Sequence, residues 1–242
     1  MSTADGVRGD RAAQGTRGAR ARARIEVTAT IKAEARAQLA VEGAAKLSLR
    51  AVARELGMAS SALYRYFPSR DDLLTALIID AYDSLGGAAE AAHDSAAGLG
   101  PARRWTVVCE AVRVWALAHP HEYALIYGSP VPGYTAPQDT VPAAARVAEV
   151  LIGILREAHR GTGLAKPVIP AELRPEARRM AADIAPDLPP ETVTAMVACW
   201  AELFGLVGFE VFGQFHRVVE DRPAFFRHAA DRLAHSVGLV FP

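Results

Sequence analysis

The sequence predicts an all-α protein: an N-terminal three-helix domain containing a helix-turn-helix, joined by a long helix to a larger helical body. Three observations predict it. Ala, Leu, Arg and Glu dominate the 242 residues and β-branched runs are short, which favours helix over sheet. Residues 48–70, SLRAVARELGMASSALYRYFPSR, read as helix, glycine turn and helix. That is the spacing of a helix-turn-helix, whose second helix can enter the DNA major groove. Further along, proline recurs in or near the first turn of successive helical patterns, where its missing N–H removes no helical hydrogen bond.

Residues 1–21 are rich in Gly, Ala and Arg with almost no large apolar group, which predicts a disordered basic arm. The arginines here, above all Arg22 and Arg24 beside the first helix, are placed to reach phosphates or the minor groove, as basic arms do. The alternative is a tail without defined contacts. Residues 22–70 form the expected DNA-binding domain. Its first helix runs from Arg24 to about Glu42, with Ile25, Ile31, Ala35 and Leu39 apolar.

Ser48 can cap the second helix by accepting from a free backbone N–H. Leu49, Val52, Ala53 and Leu56 then share one face, with Arg50, Arg54 and Glu55 largely on the other. Gly57 stands where a helix end needs a left-handed residue. In the third helix, Leu63 and Phe67 lie four apart and should bury. This leaves Ser60, Ser61, Tyr64, Arg65 and Tyr66 to face outward. Small residues let a helix approach DNA closely, and hydroxyls and phenols can bond phosphate oxygens or base edges. Pro68-Ser69-Arg70 stops this helix and starts a longer one, to about Ala92, that leads into the body.

Residues 71–242 make up that body. Helices are expected from Pro101 to Ala118, Pro120 to Tyr127, Pro142 to His159, Pro175 to Ile184, Pro190 to Phe215 and Pro223 to Gly238, with loops at 128–140 and 160–174. The last two long helices are apolar over wide faces. A stripe of this kind serves a monomer core or a subunit interface. A single helix-turn-helix reads few base pairs, so a twofold dimer has an independent motive. The dimer residues read from these stripes are Val207, Val211, Phe215, Phe226, Leu233 and Val237. Trp105, Trp115, Tyr123, Tyr127, Tyr134, Met180, Trp200 and Phe204 supply the aromatic and soft surface that lines apolar pockets, or that fills a core.

The zero net charge conceals a polarity. Residues 1–70 hold 13 Lys/Arg against 6 Asp/Glu, and residues 71–242 hold 14 against 21. A basic head on an acidic body suits a polyanion partner for the head alone. Cys109 and Cys199 form neither a disulfide framework nor a zinc spacing, so a reducing cytoplasm and buried apolar roles are expected. No apolar leader begins the chain, and Glu202 and Glu210 interrupt the most apolar stretch, so no membrane partner is expected. His119-Pro120-His121 lacks helical spacing and a third ligand, so no metal is expected, and His119 is read as a cap on the preceding helix. Nucleotide-binding, hydrolase and metalloprotease motifs are missing, so neither an enzyme nor a cofactor is expected.

Gly57, Leu63-Tyr64-Arg65-Tyr66-Phe67, Pro68-Ser69-Arg70 and Leu73-Leu74 together resemble the DNA-binding signature of the TetR family of bacterial transcriptional repressors. Trp200, Gly205, Gly208, Gly213 and His216, with WALAHPHEYALIYGSPVPGY, are similar to a regulatory C-terminal domain type named for Trp, His and Gly (WHG). The resemblance implies a repressor that binds double-stranded operator DNA as a homodimer, pairs through its terminal helices, and is released by a small apolar or aromatic ligand. The alternative is a DNA-binding dimer governed by a protein partner, or one that answers to no ligand.

The DNA-binding residues carried by motif and residue reading together are Arg22, Arg24, Ser48, Arg50, Ser60, Ser61, Tyr64, Arg65, Tyr66 and Arg70. One departure stands out. The family often carries Ser or Thr where this chain has Ala59, so Ser60 either caps the third helix or faces DNA.

Overall fold

The computed structural model describes residues 4–161 and 163–240, with side chains from residue 18 onward. All regular secondary structure among the described residues is helical. The chain divides into two compact units. Unit 1 runs to Leu77 and also takes in Val131–Tyr134, while the rest forms unit 2.

Unit 1 contains α1 (Ala4–Glu42), a 3-10 turn (Ala44–Lys46), α2 (Leu49–Glu55), α3 (Ser60–Leu63) and the start of α4 (Arg70–Ser95). Ile31, Ala35 and Leu39 recur every fourth residue and bury against Leu49, Val52, Leu63, Phe67, Leu73 and Leu74. Ile25 does not join them and is 68% exposed. Six residues before Ile31, it falls about a third of a turn off the buried stripe. The basic arm expected over residues 1–21 falls mostly on side chains outside the described residues, and residues 18–21 continue α1 with exposed side chains.

Local chemistry sets each end in this unit. Ser48 accepts from the Ala51 N–H at 3.4 Å and caps α2. Gly57, at φ +63°, closes α2: its N–H reaches the Arg54 carbonyl and that of Met58 reaches Ala53. This 5→2 and 6→1 pair satisfies carbonyls the helix end would leave open. Ser69 opens α4 reciprocally, donating to the Asp72 carboxylate at 2.7 Å and accepting from the Asp72 N–H at 3.1 Å.

Unit 2 contains the remainder of α4 with α5 (Pro101–Ala118), α6 (Pro120–Tyr127), α7 (Val141–Arg160), α8 (Arg174–Ile184), α9 (Pro190–Val211) and α10 (Arg222–Ser236). Proline occupies the first turn of each helix from α5 to α10. α9 ends four residues before the expected Phe215, because Gly213 adopts φ +80° and closes the same two-bond motif seen at Gly57.

The core of unit 2 gathers Trp105, Val108, Cys109, Val112, Leu151, Ile154, Leu155, Leu203 and Val207. Both cysteines are buried and free, and burial pushes both thiols up, Cys199 to about 12. α9 has the length and composition to cross a membrane. Here Val193, Met196, Cys199 and Leu203 on one of its faces belong to this core.

The expected interface residues require correction. Val207, Phe226, Leu233 and Val237 are at most 3% exposed within one chain. α10 packs on α5 as well as on α9, so these stripes already have partners in their own subunit. Val211 and Phe215 stay half-buried, and the apolar groups left open are Phe209, Phe212 and Phe225.

Candidate nucleic-acid interface

α3 starts without a side-chain cap. Ala59 occupies the N-cap position and contributes only its carbonyl, which accepts from Ala62 and Leu63. Ser60 and Ser61 both lie inside the helix and are exposed, which settles the ambiguity at Ala59: Ser60 is not the cap. Beyond Leu63 the chain tightens, with Arg65 bonding back to Ala62 and Tyr66 to Leu63, three residues away. Leu63 and Phe67 bury beneath, while Tyr64 and Arg65 stand exposed. No acidic residue occurs from Leu56 to Arg70.

Two arginines hold this segment rather than standing free. The Arg24 guanidinium lies 5.2 Å from the centre of the Tyr66 ring and donates to the Arg65 carbonyl at 3.2 Å. It thereby binds α1 to the end of the reading segment. Arg70 is engaged still more fully. Its Nε donates to the Leu47 carbonyl at 3.2 Å, and its Nη2 to Ala44 at 2.8 Å and Ala45 at 3.3 Å. The planar fork suits three carbonyls left unpaired around a 3-10 turn. Read from sequence as a phosphate contact, Arg70 instead spends its donors inside unit 1. Its carbonyl partners lie 23 to 26 residues upstream, a separation no local pattern signals.

The other expected residues divide as follows. Arg22 and Arg50 are exposed, Tyr66 is half-buried under Arg24, and Ser48 is half-buried as a cap.

In unit 2, four of the expected pocket residues meet. Tyr127 stacks on Phe204 at 4.0 Å between centroids, Trp200 lies 4.6 Å from Phe204, and Tyr123 lies 5.3 Å from Tyr127. The Tyr123 hydroxyl donates to the Phe204 carbonyl at 2.7 Å. Burial pushes the Tyr123 and Tyr127 phenols up, so both stay protonated. Trp115 lies apart from these rings, stacked on His119 with its indole N–H on Ser84, and His119 caps α5 through its ring Nδ1 and the Trp115 carbonyl. Trp105 is buried core, and Met180 is half-buried on α8. Tyr134 belongs to unit 1 instead.

Comparison with known proteins places this geometry. Residues 31–77, the span that contains α2, α3 and both braces' carbonyl targets, match the family model "Bacterial regulatory proteins, tetR family". Residues 105–233 match "Tetracyclin repressor-like, C-terminal domain". The chain belongs to the TetR family. The HTH-type transcriptional regulator Rv1816 of Mycobacterium tuberculosis is 38% identical to this TetR-family chain over 224 residues, covering 91% of it and 95% of Rv1816. A crystal structure of the regulatory protein SCO4313 superposes with TM-score 0.73 at 34% identity, covering 88% of this chain and 98% of that one. RolR, crystallised with resorcinol, shares the fold at TM-score 0.50 and 15% identity, over 92% and 98% of the two chains. This TetR-family protein is therefore an HTH-type DNA-binding transcriptional regulator and not an enzyme.

Proposed function

We propose that this regulator is a cytoplasmic homodimer that represses transcription from an operator and is released by a small apolar or aromatic ligand. The observation that carries the DNA reading is the exposed, acid-free face formed by Ser60, Ser61, Tyr64 and Arg65. Ser60, Ser61 and Arg65 read base edges. Ser48, Arg50, Tyr64, Tyr66 and Arg22 set the register on phosphates. Arg24 and Arg70 act at one remove, holding α3 and the turn before α2 in place.

The dimer face is the open side of α9 and α10, where Leu206, Phe209, Phe215 and Phe225 flank a groove of about 430 Å³. The ligand meets the Tyr123, Tyr127, Trp200 and Phe204 rings. The resorcinol bound by RolR supports a small aromatic compound at such rings. The C-terminal likeness to the Trp-His-Gly type rests on Trp200, Gly205, Gly208, Gly213 and His216.

Genomic DNA fragments retained by the purified protein supply the probe. Tyr64→Ala and Arg65→Ala should each weaken binding, Arg65→Ala by about 1–3 kcal/mol with relaxed preference at one base pair. Unchanged affinity in both variants overturns the assignment. A panel of small apolar and aromatic compounds tests the ligand, because one that binds the native state raises the melting temperature. A panel without a shift favours control by a protein partner.

A further inference from the structure

The loop between α6 and α7 contributes four residues to unit 1, although the chain on either side of it belongs to unit 2. These residues, Val131–Tyr134, form a β-turn of specified type. Pro132 and Gly133 occupy its two central positions, Gly133 adopts φ +76°, and the Tyr134 N–H reaches the Val131 carbonyl at 3.2 Å. Proline then glycine with positive φ is the type II pattern, which the sequence alone makes rigid. Pro130 and Pro137 stiffen the flanks.

The turn ends on one polar contact. The Tyr134 hydroxyl and the Thr75 hydroxyl lie 2.9 Å apart, and either can donate. Thr75 sits between Leu74, which is fully buried in unit 1, and Leu77, which is 1% exposed. The same helix begins with Arg70, which grips the carbonyls ahead of α2. At the other end, only Gly128, Ser129 and Pro130 separate the turn from Tyr127, the last residue of α6 and a member of the aromatic stack.

We propose that the Val131–Tyr134 turn is a strut, with Tyr134 and Thr75 as positioning residues that tie the first turns of α4 to α6. Displacement of Tyr127 by a ligand then reaches the reading head by a route separate from the length of α4. This inference rests on the DNA-reading role proposed for α3.

The experiment compares the full-length protein with Tyr134→Phe, Thr75→Val and the double variant. Affinity for the retained genomic fragments, thermal melting and hydrogen exchange of amides 71–77 are measured together. Tyr134→Phe keeps the ring and Thr75→Val keeps the shape, so each deletes only the hydroxyl contact.

One lost hydrogen bond predicts DNA affinity lower by roughly two- to tenfold in each single variant. The double variant should be no weaker than the worse single, and exchange at 71–77 should be faster in all three. Unchanged affinity in both singles, or losses that multiply in the double, overturns the strut. If the unaltered protein retains no DNA, the DNA-reading role falls instead. Exchange then decides the strut alone: faster exchange supports it and unchanged exchange overturns it.

Discussion

The arginines of the two units are employed differently. In the body they neutralise carboxylates. Arg146 binds Glu90 with two hydrogen bonds of 2.8 and 2.7 Å and reaches Asp83 at 2.8 Å. Arg113 clamps Glu210 at 2.6 Å through two nitrogens, while Arg104 pairs with Glu157 and Arg156 with Asp187. In the head, Arg24 and Arg70 bond backbone carbonyls, and Arg50 and Arg65 stand exposed. A carbonyl bond leaves the positive charge in place, whereas a carboxylate cancels it. The basic excess of residues 1–70 therefore survives folding, and the body's charges are largely consumed within it. Polyanion binding belongs to the unit whose arginines keep their charge.

The largest effect should come from breaking a body pair. Glu210→Ala leaves the largely buried Arg113 without its carboxylate, and should destabilise the body by about 3 kcal/mol while the DNA contacts of unit 1 stay intact. Chemical denaturation reads this. A loss below 1 kcal/mol would erase the contrast from the body's side.

Next in size, Arg70→Ala removes three charge-assisted bonds to carbonyls and should cost about 2 kcal/mol of unit 1 stability. Arg70→Lys should not restore it, because one ammonium cannot span the Ala44, Ala45 and Leu47 carbonyls. Full rescue by lysine would mean that charge alone matters there.

Much of this was legible in the sequence, and its failures have physical causes. Gly57, Ser48 and the buried pair Leu63 and Phe67 act locally, within four residues of their partners, so spacing revealed them. The proline-led helices were legible for the same reason. Arg70 and Tyr134 act across long sequence separations, and nothing in their neighbourhoods marks Leu47 or Thr75 as targets.

Periodicity finds an apolar stripe but not its partner, which is why Val207 and Leu233 read equally well as interface or core. Among Gly205, Gly208 and Gly213, only the last has positive φ, and that backbone angle sets the end of α9.

A smaller effect is expected at the turn itself. Gly57→Ala forces a Cβ into φ +63° and should cost about 1–2 kcal/mol, with reduced DNA affinity because α3 loses its fixed entry.

The mildest prediction concerns pH. Hydrogen bonds from Arg146 and Arg104 hold Glu90 and Glu157 below the usual carboxylate range, and Arg156 does the same for Asp187. A lowered folded-state pKa gives stability that is complete above the unfolded value, 4.5 for glutamate, and is lost as pH falls through the folded one. Body melting should therefore drop in acid, and Arg146→Gln should flatten that drop. A flat profile in the unaltered protein would contradict these pairings.

The central claim, that the head's arginines divide between holding the fold and meeting DNA, is tested most directly by salt titration of DNA binding in Arg50→Ala beside Arg70→Ala. Arg50→Ala should flatten the slope of log affinity against log salt by about 0.9 with an unchanged melting temperature. Arg70→Ala should lower the melting temperature and keep the slope. A slope that flattens for Arg70→Ala and stays unchanged for Arg50→Ala would contradict the account.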